Sequence, residues 1–176
     1  NVLTAVYGYF WLCNNPNLAS LAGLENLTFI GGEFWIQNNE QLEEISSLSS
    51  LINVGENMGI IYNNSLCCLS GLDNIIPESI FNLNIHNNPL LTNCAVESIC
   101  DYLTSPGGTV TISGNDVGCN SVTEVEDECD LLIFVPGQKQ NSLKIYPNPV
   151  SEILTIQVSN AQVYSIKLFN TYGNLI

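Results

Sequence analysis

The sequence predicts a mainly β protein, in which stacked repeat units share one short parallel sheet and part of an antiparallel β-sandwich follows. The first observation is that double asparagines recur at spacings of 24, 25 and 24 residues, a regularity typical of stacked units. The second is that leucines and isoleucines three residues apart follow these pairs, and the third is that apolar residues alternate before them. The pairs are Asn14-Asn15, Asn38-Asn39, Asn63-Asn64 and Asn87-Asn88.

The first element of each unit is a short strand. Apolar residues that alternate with period two are typical of a strand with one buried face. A fifth, degenerate copy, "TVTISGND", carries Val110 and Ile112 before Asn115. We therefore predict that residues 9–113 contain one parallel sheet of about five strands, stacked at about 4.8 Å. The alternating pairs are Phe10/Leu12, Phe34/Ile36 and Leu83/Ile85.

The second element is a return arm with one apolar residue in every three, as in Leu42, Ile45 and Leu48. This spacing suits a tight coil or a 3₁₀-like arm that points one side chain inward per turn. One unit cannot bury its own apolar face, whereas stacked units can, and each buried Leu or Ile contributes about 1.5–3 kcal/mol. A buried asparagine can satisfy the backbone groups of the corner and bond the asparagine of the next unit. Which asparagine of each pair turns inward stays open.

Four of the seven cysteines indicate a covalently fixed cap at the end of the stack. Residues 94–103 have helix-like spacing, with Asn93 as the N-cap. An end unit needs a polar cover over its core, and disulfides can fix such a cover. Four cysteines allow three pairings. A zinc site is the alternative, but it needs cysteines paired with two to four residues between them, which these lack. The four are Cys94, Cys100, Cys119 and Cys129.

Seven cysteines in 176 residues also favour an oxidising compartment. Cys13, Cys67 and Cys68 remain outside the cap. We expect them to be loop or core thiols, with a redox switch at the adjacent Cys67-Cys68 as the alternative.

The repeat resembles a known family. Phe34-x-Ile36-x-x-Asn39-x-x-Leu42 resembles a leucine-rich-type repeat, and the period, "IGG" at 30–32 and "NNP" at 14–16 are similar to receptor L-domain solenoids. The resemblance implies a right-handed solenoid over residues 1–129, with a C-terminal cap from about residue 93. It also implies the pairing Cys94–Cys119 with Cys100–Cys129, as in leucine-rich C-terminal caps. Helical repeats are the alternative, disfavoured by the asparagine pairs and by Gly31-Gly32.

The pattern changes after Cys129, where residues 130–142 are predicted to form a linker and residues 143–176 alternate as antiparallel strands. This C-terminal part resembles the sorting domain of the type IX secretion system of Bacteroidota. The resemblance implies interaction with that machinery, export across the outer membrane, and release or surface attachment. The family's closing Gly-x-Tyr-type strand does not follow, so we expect the N-terminal part of such a domain. The matching motif residues are Tyr146, Pro147, Asn148, Pro149 and Gly173.

The charge distribution excludes several classes of function. All three lysines lie after residue 138, the chain has no arginine, and residues 1–138 hold 16 of the 17 acids. Binding to nucleic acid or to anionic lipid requires a basic surface, so we expect neither. No run approaches the roughly 18 apolar residues of a membrane-spanning helix. The first residue is Asn and no signal peptide is visible, so we expect a processed or truncated piece.

The outward face of the predicted sheet is the candidate binding site. Exposed aromatic side chains on a rigid sheet suit recognition of a glycan or a protein. The alternative is that a flanking segment covers both tryptophans. Strand parity places in one column Trp11, Trp35 and Ile60, and in the next Cys13, Gln37, Tyr62 and His86. The candidate binding residues are Trp11, Trp35, Tyr62 and His86.

Catalysis is not expected, because the sole histidine, His86, has no activating partner that the sequence can name. The acids Glu43-Glu44 and residues 126–128 are expected to be solvated charges rather than a glycosidase pair. Residues 124–130 lack the spacing of a calcium loop, so neither a metal nor a cofactor is expected. We predict a secreted or cell-surface binding or adhesion module. The alternatives are a structural spacer that presents another domain and, third, a carbohydrate-active enzyme.

Overall fold

Residues 2–131, 143–146 and 155–158 are described by a computed structural model. The chain divides into two compact units, Asn1–Leu131 and Leu132–Ile176. The helical elements are two 3₁₀ turns, Ser46–Leu48 and Pro77–Ser79, and the helices α1 (Glu97–Thr104) and α2 (Val122–Leu131). The strands are β1 (Ala5–Val6), β2 (Phe10–Cys13), β3 (Phe29–Ile30), β4 (Phe34–Gln37), β5 (Asn53–Val54), β6 (Met58–Ile61), β7 (Leu83–His86), β8 (Val110–Ser113), β9 (Leu143–Tyr146) and β10 (Thr155–Val158).

One five-stranded sheet, in the order β2-β4-β6-β7-β8, runs through the first compact unit and takes one strand from each repeat unit. All four neighbouring pairs are parallel and in register, so the predicted parallel sheet is confirmed. The alternating residues form continuous inward columns. One column, for example, runs from Leu12 through Ile36, Ile60 and Ile85 to Ile112.

A second, smaller parallel sheet in the order β1-β3-β5 was not predicted. Its strands have two residues each, with Ile30 beside Val54 in the buried layer. Two residues cannot display a period, which explains why alternation did not reveal them.

The return arms confirm the three-residue spacing. Within them, the main-chain N–H of most inward residues donates to the carbonyl three residues earlier, as from Leu51 to Leu48 (2.8 Å) and from Leu48 to Ile45 (3.0 Å). This i to i−3 pattern turns the chain once per three residues, so every third side chain faces inward. Leu42, Ile45, Leu48 and Leu51 are all fully buried.

One asparagine per unit turns inward and joins a hydrogen-bonded ladder. The main-chain N–H of Asn39 donates to Oδ1 of Asn63 (3.1 Å), and that of Asn63 donates to Oδ1 of Asn88 (2.9 Å). The Asn63 amide also donates to the carbonyl of Ile36 (3.0 Å). Asn39, Asn63 and Asn88 are fully buried, so each supplies the polar partners that a corner lacks. The ladder residues are Asn15, Asn39, Asn63, Asn88 and Asn115.

The third unit corrects the predicted repeat. In the other double asparagines, the second asparagine faces inward. In the third repeat unit the inward residue is Asn63, which is the first asparagine of its pair. Tyr62 there takes the left-handed position (φ 56°) that the first asparagine holds elsewhere, as at Asn38 (φ 54°). The sequence "YNN" offers two asparagines, Asn63 and Asn64, for the inward position, in adjacent registers. Because all four residues of β6 are buried, alternation could not choose between those registers.

Two helices and two disulfides form the end of the stack, with α1 between β7 and β8 in the chain and α2 after β8. Cys94 is joined to Cys119, and Cys100 to Cys129, which is the pairing that the leucine-rich resemblance implies. The buried Tyr102 hydroxyl donates to the carbonyl of Phe81 (2.6 Å), and burial raises the pKa of this phenol. The cap is therefore tied to the last units by packing and by hydrogen bonding.

The first cap helix begins later than predicted. It starts at Glu97 after an N-cap at Val96, which makes no side-chain capping bond. Asn93 instead pairs with Cys68 in a parallel bridge, and its carbonyl accepts from the Leu69 N–H (3.0 Å). Asn93 thus continues the return arm rather than starting the helix. Helix α2 extends to Leu131, two residues into the predicted linker.

In the second compact unit, Leu132–Ile176, β9 and β10 form an antiparallel pair, with Tyr146 opposite Thr155. Among the described residues this pair is the whole of the antiparallel pattern, and a sandwich is not shown. Residues 132–142 of the predicted linker lie outside the described residues, as do Pro147, Asn148, Pro149 and Gly173.

Candidate functional site: an aromatic strip and an adjoining groove

The outward face of the large sheet begins with an aromatic strip, which we define as Tyr9, Trp11 and Trp35. Trp11 lies directly beside Trp35 in the register of β2 and β4. Trp11 is 62% exposed, and the Tyr9 ring stacks on it at a centroid distance of 5.6 Å and an interplanar angle of 22°. Both tryptophans therefore lie in the parity predicted for them, with flat apolar surface available to solvent.

Trp35 is fixed in position by residues on both sides. Its indole N–H donates to Oε2 of Glu33 (3.1 Å), and Oε1 of Glu33 accepts from the Asn57 amide (2.7 Å). The indole ring lies across Gly59 of the next unit, where even a β-carbon would clash with it. The ring is thus preorganised against the sheet and half-buried. A rigid aromatic ring loses little conformational entropy when a ligand packs on it.

The structure corrects two positions in the predicted columns. Gly59, not Ile60, continues the tryptophan column, and Ile60 is fully buried. Ile61, not Tyr62, stands beside Gln37 and His86. Both corrections follow from the one-residue ambiguity of the third unit, because a shift of one residue exchanges the two faces of a strand.

A groove of about 490 Å³ lies where the strands of the first three units end. This volume falls within the roughly 300–1,000 Å³ that small-ligand pockets occupy. Tyr62 contributes an aromatic ring that is 47% exposed, and the Asn38 amide donates to Oδ1 of Asn14 (2.9 Å). Amide, carboxylate and aromatic groups therefore converge here. The lining residues are Asn14, Pro16, Asn38, Glu40, Tyr62 and Asn64.

His86 lies next to this groove. Its ring makes an edge-to-face contact with Tyr62 at 5.9 Å between centroids, and its Nδ1 is 2.9 Å from the Asn87 amide nitrogen. The four predicted binding residues thus form two pairs, Trp11 with Trp35 and Tyr62 with His86. Residues two apart on one strand face share a side of the sheet, so Trp35, Gln37 and the groove follow one another along β4.

Sequence reasoning missed the residues that hold these aromatic groups. Glu33 and Asn57 precede successive strands, and Asn57 itself accepts from the Asn82 amide (2.7 Å). A recurring polar residue just before each strand was the available signal. Gly59 was marked only by the absence of a side chain in the position that follows the two tryptophans of its column.

The described part of the chain contains no group of three or more His, Cys, Asp or Glu side chains placed to hold a metal ion. None of the helices in that part has the length and apolar character needed to cross a membrane. The groove contains one carboxylate, Glu40, and residues 1–138 contain neither Lys nor Arg. The groups at the site can stack on a ligand and hydrogen-bond to it, and the Glu40 carboxylate can attract cations weakly.

Residues 144–176 match the family model described as "Secretion system C-terminal sorting domain". The match includes Tyr146 and β10, so the resemblance seen in the C-terminal sequence is confirmed. No curated protein matches the chain, and no solved structure does. A sorting domain of this type indicates a secreted protein that is exported by the type IX secretion system and is often attached to the cell surface. It also implies interaction with the secretion machinery.

Proposed function

We propose that the exported protein is a non-catalytic binding or adhesion module, whose ligand lies along the aromatic strip and the adjoining groove. The observation that carries the proposal is the in-register pair Trp11–Trp35, with Trp35 held by Glu33 and seated on Gly59. A tryptophan that only filled space would not need both the hydrogen bond to Glu33 and the contact with Gly59. Aromatic anchors on a rigid surface carry much of the energy of recognition.

The scaffold that we propose for this face is a right-handed leucine-rich or receptor L-domain-like solenoid over residues 1–129. In-register strands, three-residue return arms and the asparagine ladder support it. Residues 130–142 would link this scaffold to a sorting domain that begins at residue 143 and adopts a β-sandwich. The scaffold would then act as a display surface, and the C-terminal domain as its export signal.

The ligand class that we propose is an uncharged glycan chain. Sugar rings present an apolar face to aromatic side chains and hydroxyl groups to amides and carboxylates, and both kinds of partner line this surface. An acidic polysaccharide is disfavoured, because 16 acids and neither Lys nor Arg lie in residues 1–138. A protein ligand with an apolar or basic surface is the remaining class.

Absence of catalysis is part of the proposal. His86 contacts an amide and an aromatic ring, and neither group orients and activates an imidazole as a carboxylate does. The carboxylate of Glu33 is engaged by Trp35 and Asn57. These contacts support a surface built to hold a ligand in place.

A glycan array screened with the wild-type protein, followed by calorimetry with Trp35→Ala, tests the proposal. Loss of an aromatic anchor costs about 2 kcal/mol, or roughly thirtyfold in affinity. Because the indole lies outside the core, we expect the free energy of unfolding to fall by less than the roughly 3–5 kcal/mol of a buried aromatic. The matched control is Phe81→Ala, another exposed aromatic (59%) outside the strip, which should bind like the wild type.

Two results would contradict the proposal. One is undiminished binding by Trp35→Ala alongside loss of binding by Phe81→Ala. The other is that neither glycans nor candidate surface proteins bind the wild type, which would favour the alternative function of a structural spacer.

A further inference from the structure

Two adjacent thiols outside the cap lie almost in contact. The Cys67 thiol donates a hydrogen bond to the sulfur of Cys68, with 3.4 Å between the two sulfur atoms. Cys67 is exposed and Cys68 is half-buried. They lie in the return arm of the third repeat unit, where Cys68 pairs with Asn93, the residue before the cap cysteine Cys94.

The backbone on both sides of the pair is already fixed. The Cys67 N–H donates to the Glu43 carbonyl (3.1 Å), and the Cys67 carbonyl accepts from the Thr92 N–H (3.2 Å). Leu66 and Leu69, which flank the pair, are fully buried. The neighbouring units therefore keep the two sulfur atoms close, and closure of a bond must bring them from 3.4 Å to about 2.0 Å.

The compartment supplies the oxidant. A protein that is exported and carries Cys94–Cys119 and Cys100–Cys129 meets protein or low-molecular-weight disulfides that accept electrons by exchange. We propose that Cys67 and Cys68 close into a vicinal disulfide in the exported protein, and that this bond is a reversible redox-sensitive site distinct from the cap disulfides.

The reaction is two successive thiol–disulfide exchanges. One cysteine thiolate attacks a sulfur of the oxidant's disulfide, forms a mixed disulfide and releases one oxidant thiolate. The second cysteine thiolate then attacks the sulfur of the first, which closes the ring and releases the other oxidant thiolate. The two cysteines lose two protons and two electrons, and the oxidant's disulfide is reduced to two thiols.

This bond should be easier to reduce than those of the cap. Adjacent α-carbons are about 3.8 Å apart across a trans peptide, whereas ordinary disulfides span about 4.4–6.8 Å. The ring is therefore strained, and Cys67 is open to reductants. Cys94 and Cys119 are fully buried and Cys100 is 5% exposed. Strained, exposed disulfides are the labile ones.

The environment of Cys67 also sets the rate of exchange. The hydrogen bond to the Cys68 thiol, with burial, raises the pKa of the Cys67 thiol. Because the thiolate is the attacking species, exchange at this site should be slow near neutral pH and should accelerate as the pH rises through that raised pKa.

Alkylation of the full chain, isolated after export and denatured without reductant, tests the proposal. Seven cysteines minus four in the cap and two in the ring leave one labelled thiol, Cys13. The peptide that contains Cys67 and Cys68 should be lighter than its reduced form by two hydrogen atoms. Mild reductant should then expose those two thiols before the four of the cap. The control Cys67→Ser should show labels on Cys13 and Cys68.

Three results would overturn the inference. They are labels on Cys13, Cys67 and Cys68 in the unreduced wild type, a disulfide between either adjacent cysteine and another molecule, and opening of the cap disulfides at the same reductant concentration as the ring.

Discussion

At the scale of single residues, Tyr62 is the clearest departure from the repeat. Equivalent positions hold asparagine in a left-handed conformation, at Asn14, Asn38 and Asn87, whereas Tyr62 adopts it at φ 56°. Asparagine adopts this conformation at little cost, whereas a bulky aromatic residue is strained in it. Because this strained residue also lines the groove, we propose that its side chain contacts the ligand.

We expect Tyr62→Asn to stabilise the fold and weaken ligand binding. Relief of the left-handed strain should raise the free energy of unfolding by about 1 kcal/mol, and loss of the ring should lower affinity through the groove. Denaturant unfolding and calorimetry measure the two effects. Tyr62→Phe keeps both the strain and the ring and should leave stability unchanged. A lower stability of Tyr62→Asn would show that the ring packs in a way that compensates for its backbone.

Adjacent asparagines in the third unit should differ sharply in their contribution to stability. Asn63→Ala leaves the Asn39 N–H and the Ile36 carbonyl without their partners. Each unsatisfied buried group costs about 1–3 kcal/mol, so the free energy of unfolding should fall by roughly 2–6 kcal/mol. Asn64→Ala, at an exposed position, should change it by about 0.5 kcal/mol or less. Equal effects in urea unfolding would refute the assignment of the inward asparagine.

At the scale of elements, contact between neighbouring strands decides the shape of the outward face. Trp35 of β4 lies over Gly59 of β6, so the ring covers the backbone of the following unit. The strip ends there because the next position holds no side chain. Asn84 of β7 and Thr111 of β8 continue the column with small polar groups. The aromatic strip is therefore confined to the first two repeat units.

Gly59→Ala should lift the Trp35 ring away from the sheet. The new methyl group overlaps the indole, so we expect a loss of about 1–3 kcal/mol in the free energy of unfolding. Acrylamide should then quench Trp35 fluorescence more strongly, measured in a Trp11→Phe background that leaves one tryptophan. Gly8→Ala is the control, because a β-carbon there has open space. Unchanged quenching in Gly59→Ala would mean that the ring does not rest on the glycine.

The repeat and the core could be predicted from sequence, because both depend on residue type at fixed spacing. Ile36 and Leu48 are apolar, periodic and buried as expected. The inward asparagine of the third repeat unit could not be predicted, because either asparagine of "YNN" can occupy the inward position of the repeat. The contacts of Asn57 with Glu33 and of Gly59 with Trp35 join neighbouring units, where residues about 24 positions apart meet side by side.

At the scale of the whole molecule, the two compact units, Asn1–Leu131 and Leu132–Ile176, differ in charge and in role. Residues 1–138 hold 16 acids and no Lys or Arg, while all three lysines follow. The sorting domain at residues 144–176 directs export, and the acidic first unit is the part delivered. High net negative charge favours solubility and makes copies of such a passenger repel one another.

Deletion of the chain from residue 141 onward should stop export at the outer membrane. Cell fractionation should then find the protein in the periplasm, with its cap disulfides formed. Attachment of residues 141–176 to an unrelated periplasmic protein tests whether this segment is sufficient. Unchanged surface display of the truncated protein would remove the role of this domain in its export.

The asparagine ladder has a consequence for how such a protein can change in length. Each inward asparagine bonds the same residue type one unit away, so the junction between any two units resembles the next junction. Excision of residues 39–62 would bring Asn38 directly before Asn63 and would recreate a junction of the same kind. Gene duplication or loss in whole units can therefore lengthen or shorten the face by one strand spacing, about 4.8 Å, without inventing a new interface.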